Sequence, residues 1–516
     1  MNLFLYGPSG SGKSTTGGLL AQALNMKAID LDTEIEKRTG RKIPTIFQVD
    51  GEDGFRRIEK EVLFSLLATE QNYVLMLGGG TLLDPENRVY VEKAGRVICL
   101  RASSEELFKR LSFDVNKRPL LYENLKSDLG KLLAKRSSHY DSFATQLDTS
   151  GFAPEDCVHE IRILLGRFSI SGMGREYPVM IQPGGLNVLG ELMRENDLSG
   201  PVALVCDSNT GPIYAERCIQ SLQKVGYPIK RVEISAGEEY KTIDTISFLW
   251  REFLQAGLER GSTVVALGGG VTGDLAGFAA ATYLRGIPWV NVPTSLLAMV
   301  DSSLGGKTGA DLPEGKNLIG AFHSPRLVLT DPEVLATLPA REICNGMAET
   351  IKHGVIADPQ LFSLCQKMNL NKIDETVPLI SRSVGVKARV ITADPYEKGI
   401  RQGLNFGHTV GHGVEKVSNY QIAHGEAVAI GMVAETKLAE KLGIAATGLT
   451  EEITTVLKRN GLPVTVPQEI DREQIKAAMG YDKKKSGGQI HFALPERIGK
   501  VRVGVVIENW FEMLDL

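Results

Sequence analysis

The sequence predicts an α/β protein: two successive parallel-sheet units, then a mostly helical region. Three observations carry that reading. Short apolar runs at Leu3–Tyr6, Tyr73–Leu77 and Arg96–Leu100 alternate with amphipathic charged stretches such as Ser104–Leu111. This is the pattern of strands buried on both faces and joined by helices. The alternation restarts at "YPVMI", with strand candidates at Val202–Cys206, Lys230–Ile234, Thr263–Leu267 and Trp289–Val292. Beyond about Asp331 the strand signals thin out, and helical periodicity dominates through Lys458.

A chain of 516 residues exceeds one ordinary core. The expected domains are 1–165, 172–330 and 331–516, with a last helix of the first unit ending near Gly166 and a turn-rich joint over Ser169–Gly174. At 43% hydrophobic and 23% charged residues, with net charge −4, the composition gives no electrostatic case for a nucleic-acid partner. Six cysteines (Cys99, Cys157, Cys206, Cys218, Cys344 and Cys365) lack CxxC spacing and fit reduced thiols better than a disulfide framework. The start "MNLFLYGPSG" has no basic segment or cleavage site, and no run of about 18 apolar residues follows. A cytoplasmic protein with no membrane partner is expected.

The first unit carries "GPSGSGKST" directly after its first apolar run, matching GxxxxGK[ST]. Gly10 and Gly12 let backbone N–H groups turn inward around a phosphate chain. Lys13 reaches the terminal phosphates, and Ser14, followed by Thr15, opens a helix with a hydroxyl that can take Mg²⁺. A P-loop NTPase-type sheet with ATP as donor is therefore expected. The acceptor must be read from other residues: Asp30 and Asp32, Arg56, Gly78–Gly80, Arg118 and Arg136. Singly, each is more often a solvated or capping residue.

In order and spacing, however, the elements DLD, FRxxE, GGGT, RPLL and RxxxY resemble shikimate kinase over roughly residues 1–150. The resemblance implies that Asp32, Arg56, Gly79, Gly80 and Arg136 hold shikimate, with Asp32 orienting the acceptor hydroxyl. Arg118 would close over ATP on a lid. Lys13 and Mg²⁺ would stabilise the transferring phosphoryl group. A small anionic polyol does need both carboxylate-to-hydroxyl and arginine-to-carboxylate contacts.

The second unit carries "LGGGVTGD", Leu267 to Asp274, between a strand candidate and a helical stretch. It only approximates GxGxxG, so dinucleotide binding and a glycine turn for close packing both stand as readings. "VDSSLGGKTGADLPEGKN" then places Lys307, Lys316 and Asn317 among glycines. "GMAETIKHG" supplies Glu349 and Lys352, "RQGLNFGHTVGH" supplies Arg401, Asn405, His408 and His412, and "HGEAV" supplies His424. His408 and His412 share a helical face at i, i+4. With Glu349 and His424 they offer an oxygen-and-imidazole set suited to zinc.

Together "GGGVTGDLAGFAAATYLRG", "VDSSLGGKTG" and "LNFGHTVGH" resemble 3-dehydroquinate synthase from about Gly172 onward. The resemblance implies a Rossmann-like NAD⁺ domain and a mostly helical domain holding Zn²⁺, or another divalent ion such as Co²⁺, on Glu349, His408 and His424. His412 would then transfer protons. NAD⁺ contacts would come from Asp207, Asn209, Glu238, Lys241, Gly269, Gly270, Asp274, Thr294, Ser295 and Lys316. Arg285, Lys307, Asn317, Asn405, His412 and Lys483 or Lys484 would serve a substrate phosphate, and Lys387 and Arg401 a carboxylate. Arg285 would reach in from a partner subunit, which implies a homodimer. The implied reaction is oxidation, phosphate elimination, re-reduction, ring opening and aldol closure of a heptulosonate phosphate, with NAD⁺ regenerated at each turnover. Other readings are a different small-metabolite kinase fused to a metal-dependent polyol dehydrogenase, or one half degenerated into a regulatory module.

Overall fold

Leu3–Tyr6 is apolar at all four positions and buried at all four, as a strand covered on both faces must be. In the computed structural model, which describes residues 2–112, 125–143, 145–171, 175–367, 373–395, 399–485 and 489–516, this strand, β1, lies at the centre of a five-stranded parallel sheet. The others are β2 (Lys27–Asp30), β3 (Tyr73–Met76), β4 (Arg96–Arg101) and β5 (Gln146–Asp148), in the order β2-β3-β1-β4-β5. Leu3 stands in register with Val74 on one side and Arg96 on the other. Helix α1 (Lys13–Ala23) leaves β1 through the first glycine loop, so that loop sits at the carboxyl edge of the sheet. The chain divides into two compact units, Met1–Leu164 and Leu165–Leu516.

The second unit opens with β6 (Arg167–Ile170) and β7 (Tyr177–Ile181), which pair antiparallel. A turn was expected from Ser169, yet Phe168 and Ile170 alternate into the core, which draws Ser169 and Ile170 into a strand. Next come β8 (Val202–Asp207), β9 (Ile229–Ile234), β10 (Thr263–Gly268) and β11 (Trp289–Pro293). An antiparallel hairpin, β12 (Lys307–Leu312) and β13 (Gly315–Phe322), precedes β14 (Leu327–Thr330). Seven strands form one sheet in the order β6-β7-β14-β11-β10-β8-β9, parallel from β7 onward. Helix α2 (Gly270–Thr282) starts at the second glycine cluster, again at the carboxyl edge of a parallel strand.

Helices then take over: α3 (Ala340–Ala357), α4 (Ile373–Ala393), α5 (His408–Val417) and α6 (His424–Lys441). After two further helices, a hairpin of β15 (His491–Arg497) and β16 (Lys500–Val506) interrupts the helical region, which the periodicity did not anticipate. Among the described residues no helix is long and apolar enough to cross a membrane.

Helices α5 and α6 meet backbone to backbone. A Cβ added at Gly431 would stand 1.9 Å from the carbonyl oxygen of Gly407, and one at Gly411 would stand 3.1 Å from that of Ala427. Backbone cannot swing aside as a side-chain tip can, so overpacking here must separate the helices. Gly431→Ala should destabilise the Leu165–Leu516 unit by about 1–3 kcal/mol. Calorimetry of the whole chain checks this, and an unchanged unfolding transition for that unit would show that the contact yields.

Candidate active sites

In the first unit, Gly10 and Gly12 adopt φ values of 82° and 90°, left-handed conformations that let the loop curl without a Cβ. Lys13 Nζ donates to the carbonyls of Gly7 and Pro8, each at 2.9 Å. Ser14 Oγ donates to Asp30 Oδ2 at 2.9 Å, which puts a carboxylate beside the hydroxyl expected to face Mg²⁺. Thr15 is exposed one residue on.

The remaining expected groups gather around Gly78–Gly80. A Cβ on Gly78 would lie 3.7 Å from Asp32 Oδ1, one on Gly79 would lie 3.1 Å from the Gly7 carbonyl, and one on Gly80 would lie 2.6 Å from Arg56 Nη2. Bare glycine is what allows this approach between the two loops. Arg136 Nη1 donates to the Gly79 carbonyl at 3.2 Å, which also accepts Tyr140 at 2.8 Å and Tyr6 at 3.2 Å. Buried Glu59 holds Arg56 at 2.7 Å and Thr81 at 2.6 Å. Arg118 lies outside the described residues.

In the second unit, the expected dinucleotide residues lie along one sheet edge. Asp207 ends β8, accepts the N–H groups of Asn209 and Thr210 at 2.9 Å, and accepts Thr272 Oγ1 at 3.0 Å. Gly269 precedes α2 and Gly270 begins it, and Thr294 N–H donates to the Gly268 carbonyl at 2.9 Å. Ser295 Oγ accepts the Ala298 N–H at 3.2 Å. Lys241, 4% exposed, bridges Asp274 at 2.7 Å and Asn317 Oδ1 at 2.6 Å. Lys316 pairs with Glu238 at 3.3 Å. The carboxyl edge of such a sheet is where dinucleotides bind.

Beside this edge opens a cavity of about 630 Å³ whose wall includes Lys307, Lys352, Lys387, Arg401, Asn317 and Asn405. Lys387 on α4 is held by the carboxylate of Asp301 and by its backbone carbonyl. Burial would raise the Asp301 carboxyl, but Lys387 draws it down to about 2. Arg401 and Asn405 share one 3₁₀ turn, Ile400–Asn405, and Arg401 Nη1 donates to the Pro395 carbonyl at 2.6 Å. Four cations converging on one cavity suit a substrate carrying several negative charges. Arg285 is exposed and is not among the residues that line the cavity. The side chain of Lys484 lies outside the described residues.

At one end of the cavity is His408, and behind it Glu349 and His424. One ligand atom from each of the three lies within 4.8 Å of the others. Glu349 on α3 is wholly buried, and neither of its oxygens meets a hydrogen-bond donor in good geometry. The Nε2 atoms of His408 and His424 approach one of those oxygens at 3.4 and 3.5 Å, and the Lys352 ammonium touches the other. Burial would raise the Glu349 carboxyl, but Lys352 and the two imidazoles hold it well below the usual range. On the far side of each ring, Nδ1 faces an acceptor: the Phe406 carbonyl at 3.3 Å for His408, and Glu415 at 3.4 Å for His424. Both Nε2 atoms are thereby turned towards Glu349, the ring orientation that metal-binding histidines adopt. A buried carboxylate faced by two oriented imidazoles fits a divalent ion such as Zn²⁺ or Co²⁺. His412 is exposed, its ring centroid 5.3 Å from that of His408.

Sequence reasoning did not single out Asp301, Glu415 or Glu59 as partners of site residues. Asp301 and Glu59 do stand inside the quoted strings "VDSS" and "FRxxE". Glu415 falls seven residues after His408, on the same helical face, which is the one signal that could have found it.

A sequence model of the shikimate kinase family matches residues 9–165. Models of the N-terminal and C-terminal parts of 3-dehydroquinate synthase match residues 231–345 and 346–485. The chain is 46% identical over 338 residues to a 3-dehydroquinate synthase of Symbiobacterium thermophilum, covering 64% of this chain and 94% of that protein. Among solved structures, it resembles 2-epi-5-epi-valiolone synthase of Streptomyces hygroscopicus with NAD⁺ and Zn²⁺ bound. The TM-score is 0.60 at 29% identity, covering 65% of this chain and 94% of that one. A 2-deoxy-scyllo-inosose synthase with carbaglucose-6-phosphate, NAD⁺ and Co²⁺ gives 0.62 at 26% identity, covering 67% and 98%.

The carboxylates around His424 set its titration. Burial would lower its pKa, but Glu349 and Glu415 outweigh that and raise it to about 10. Protonated His424 therefore stabilises the metal-free fold fully below about pH 6.5, and that contribution fades as pH rises towards about 10. In chelator-treated protein, the unfolding midpoint of this unit should fall between about pH 7 and pH 9, while divalent-ion affinity rises over the same range. A midpoint that climbs instead would mean that His424 is not held protonated.

Proposed function

This chain belongs to the 3-dehydroquinate synthase family and carries a shikimate kinase domain, and we propose that its two sites work separately, each through the residues named above. It is a bifunctional enzyme of the shikimate pathway. One unit transfers phosphate from ATP to shikimate. The other converts a heptulosonate phosphate to 3-dehydroquinate with loss of phosphate. The observation that carries the reading is the pairing of binding loops with chemistry residues in both units. A phosphate loop adjoins an Asp32, Arg56 and Arg136 pocket in one, and the Glu349, His408 and His424 cluster adjoins a cation-lined cavity in the other.

In the kinase unit, Arg136 and Arg56 grip the acceptor carboxylate through the planar fork that lysine lacks. Asp32 orients the hydroxyl that attacks, Lys13 leaves the Gly7 and Pro8 carbonyls for the phosphates of ATP, and Ser14 with Asp30 receives Mg²⁺. Catalysis here is positioning and charge neutralisation, because the chain forms no bond to the transferred group.

In the synthase unit, Glu349, His408 and His424 hold the divalent ion, and the edge from Asp207 to Ser295 holds NAD⁺. When bound, the metal supplies Lewis acidity towards ring hydroxyls, and NAD⁺ supplies a reversible oxidation that acidifies a neighbouring C–H bond. Lys307, Asn317 and Asn405 bind the phosphate, and Lys387 and Arg401 bind the carboxylate. Asp301 keeps Lys387 aimed, and His412, at the exposed side of the cluster, moves the proton. A second copy of the chain completes the site with Arg285. In support, Arg285 is exposed, and it and Leu284 are held at φ of 70° and 49°, left-handed conformations that such residues seldom adopt. Six free cysteines are in keeping with a cytoplasmic location.

Crossed assays on one chain test this reading. Lys13→Ala should abolish phosphorylation of shikimate and leave phosphate elimination intact. His412→Ala should retain the metal, spare the kinase and slow elimination by about 10² to 10⁴. His408→Ala and His424→Ala should lose the metal, as measured by metal analysis of the purified protein. If His412→Ala is instead the variant that loses metal, the roles of His408 and His412 must be exchanged.

A further inference from the structure

Helix α5 begins at His408 itself, preceded by Gly407, which has no side chain to cap it. The first N–H groups of a helix have no partner within it and must find one elsewhere. Here they find one on the neighbouring helix. Glu435 of α6, wholly buried, accepts the Gly407 N–H at 2.7 Å through Oε2 and the Val410 N–H at 3.2 Å through Oε1. A side chain at position 407 could not do this, because a Cβ there would stand 2.7 Å from Met432 Cγ and 2.8 Å from the Val428 carbonyl oxygen.

We infer that Glu435 is a positioning residue of the metal centre, capping the His408 helix from the helix that bears His424 and so fixing the two histidines relative to each other. The choice of a carboxylate has a physical reason. The amino end of α5 presents backbone N–H groups on either side of His408 that the helix itself leaves without partners. A carboxyl group lodged against that end turns one oxygen to each of two N–H groups at once, which a single hydroxyl or amide cannot do. Its burial is costly, and burial pushes the Glu435 carboxyl up to about 8, although the N–H groups pull it down. A residue kept for packing alone would be apolar at this depth, since apolar replacement of buried polar groups is often neutral or stabilising.

The inference rests on Glu349, His408 and His424 holding the metal, and its test separates the two ideas. Glu435→Gln preserves volume, but its amide nitrogen cannot accept an N–H. Zn²⁺ affinity by competition with a chromophoric chelator should fall about 10- to 100-fold, and the visible bands of the Co²⁺-loaded protein should shift. Kinase activity of the same chain should be unchanged. Wild-type Zn²⁺ affinity with an unaltered Co²⁺ spectrum would overturn the inference, even if the unfolding midpoint dropped. Should Glu435→Gln fail to fold, Glu435→Asp takes its place: its shorter carboxylate cannot span both N–H groups, so weakened Zn²⁺ binding is expected and wild-type binding is the contrary result. If His408→Ala leaves Zn²⁺ affinity untouched, the ligand assignment fails instead.

Discussion

The synthase unit depends on how closely α5 and α6 approach. Glycine at 407, 411 and 431 removes the side chains that would hold two helices apart, so each histidine-bearing helix is located by the other's backbone. That contact has little tolerance. Side chains can change rotamer to absorb a displacement, whereas two backbones in van der Waals contact cannot. His408 and His424 are thus presented to Glu349 by the stiffest kind of packing a protein has, while the polar ring contacts on Phe406 and Glu415 set only their rotation.

Both units answer the same physical question, how to hold phosphate-bearing ligands, at the carboxyl edge of a parallel sheet, yet they treat cations differently. In the kinase unit the lysine of the loop rests on two backbone carbonyls, uncharged acceptors that a phosphate readily outcompetes. In the synthase unit Lys241, Lys352 and Lys387 are buried and paired with Asp274, Glu349 and Asp301. A buried ammonium needs a carboxylate to stay charged. Such pairs fix each ammonium in place, where a backbone carbonyl would let it be redirected.

What was legible in the sequence follows from locality. Strands such as β1, β8 and β10 could be read because burial on both faces leaves continuous apolar runs, and both glycine loops could be read because they follow such runs directly. The β12–β13 hairpin was not read, because "LGGKTGADLPEGKNLIGAF" looks like a glycine-rich loop until its two arms pair across Gly309 and Gly320. Ser169 and Ile170 were mistaken for a joint because their pairing partners, Pro178 and Tyr177, lie further along the chain and local sequence does not show the pairing. The spacing of His408 and His412 puts both on one face and says nothing about which faces Glu349. Only the fold turns the first inward. Asp301, Glu415 and Glu435 escaped for the same reason: each acts on a group brought near by tertiary structure, and Asp301 meets Lys387 86 residues away in sequence.

The carbonyl of Gly79 has three donors within reach, Tyr140, Arg136 and Tyr6, but a carbonyl oxygen has only two lone pairs. One donor is therefore redundant, and the Tyr140 hydroxyl, at 2.8 Å, keeps the carbonyl satisfied without the guanidinium. Arg136 can turn towards an incoming anion without orphaning the carbonyl it leaves. The acceptor loop keeps its shape through the exchange, so recruitment of that arginine carries almost no reorganisation penalty.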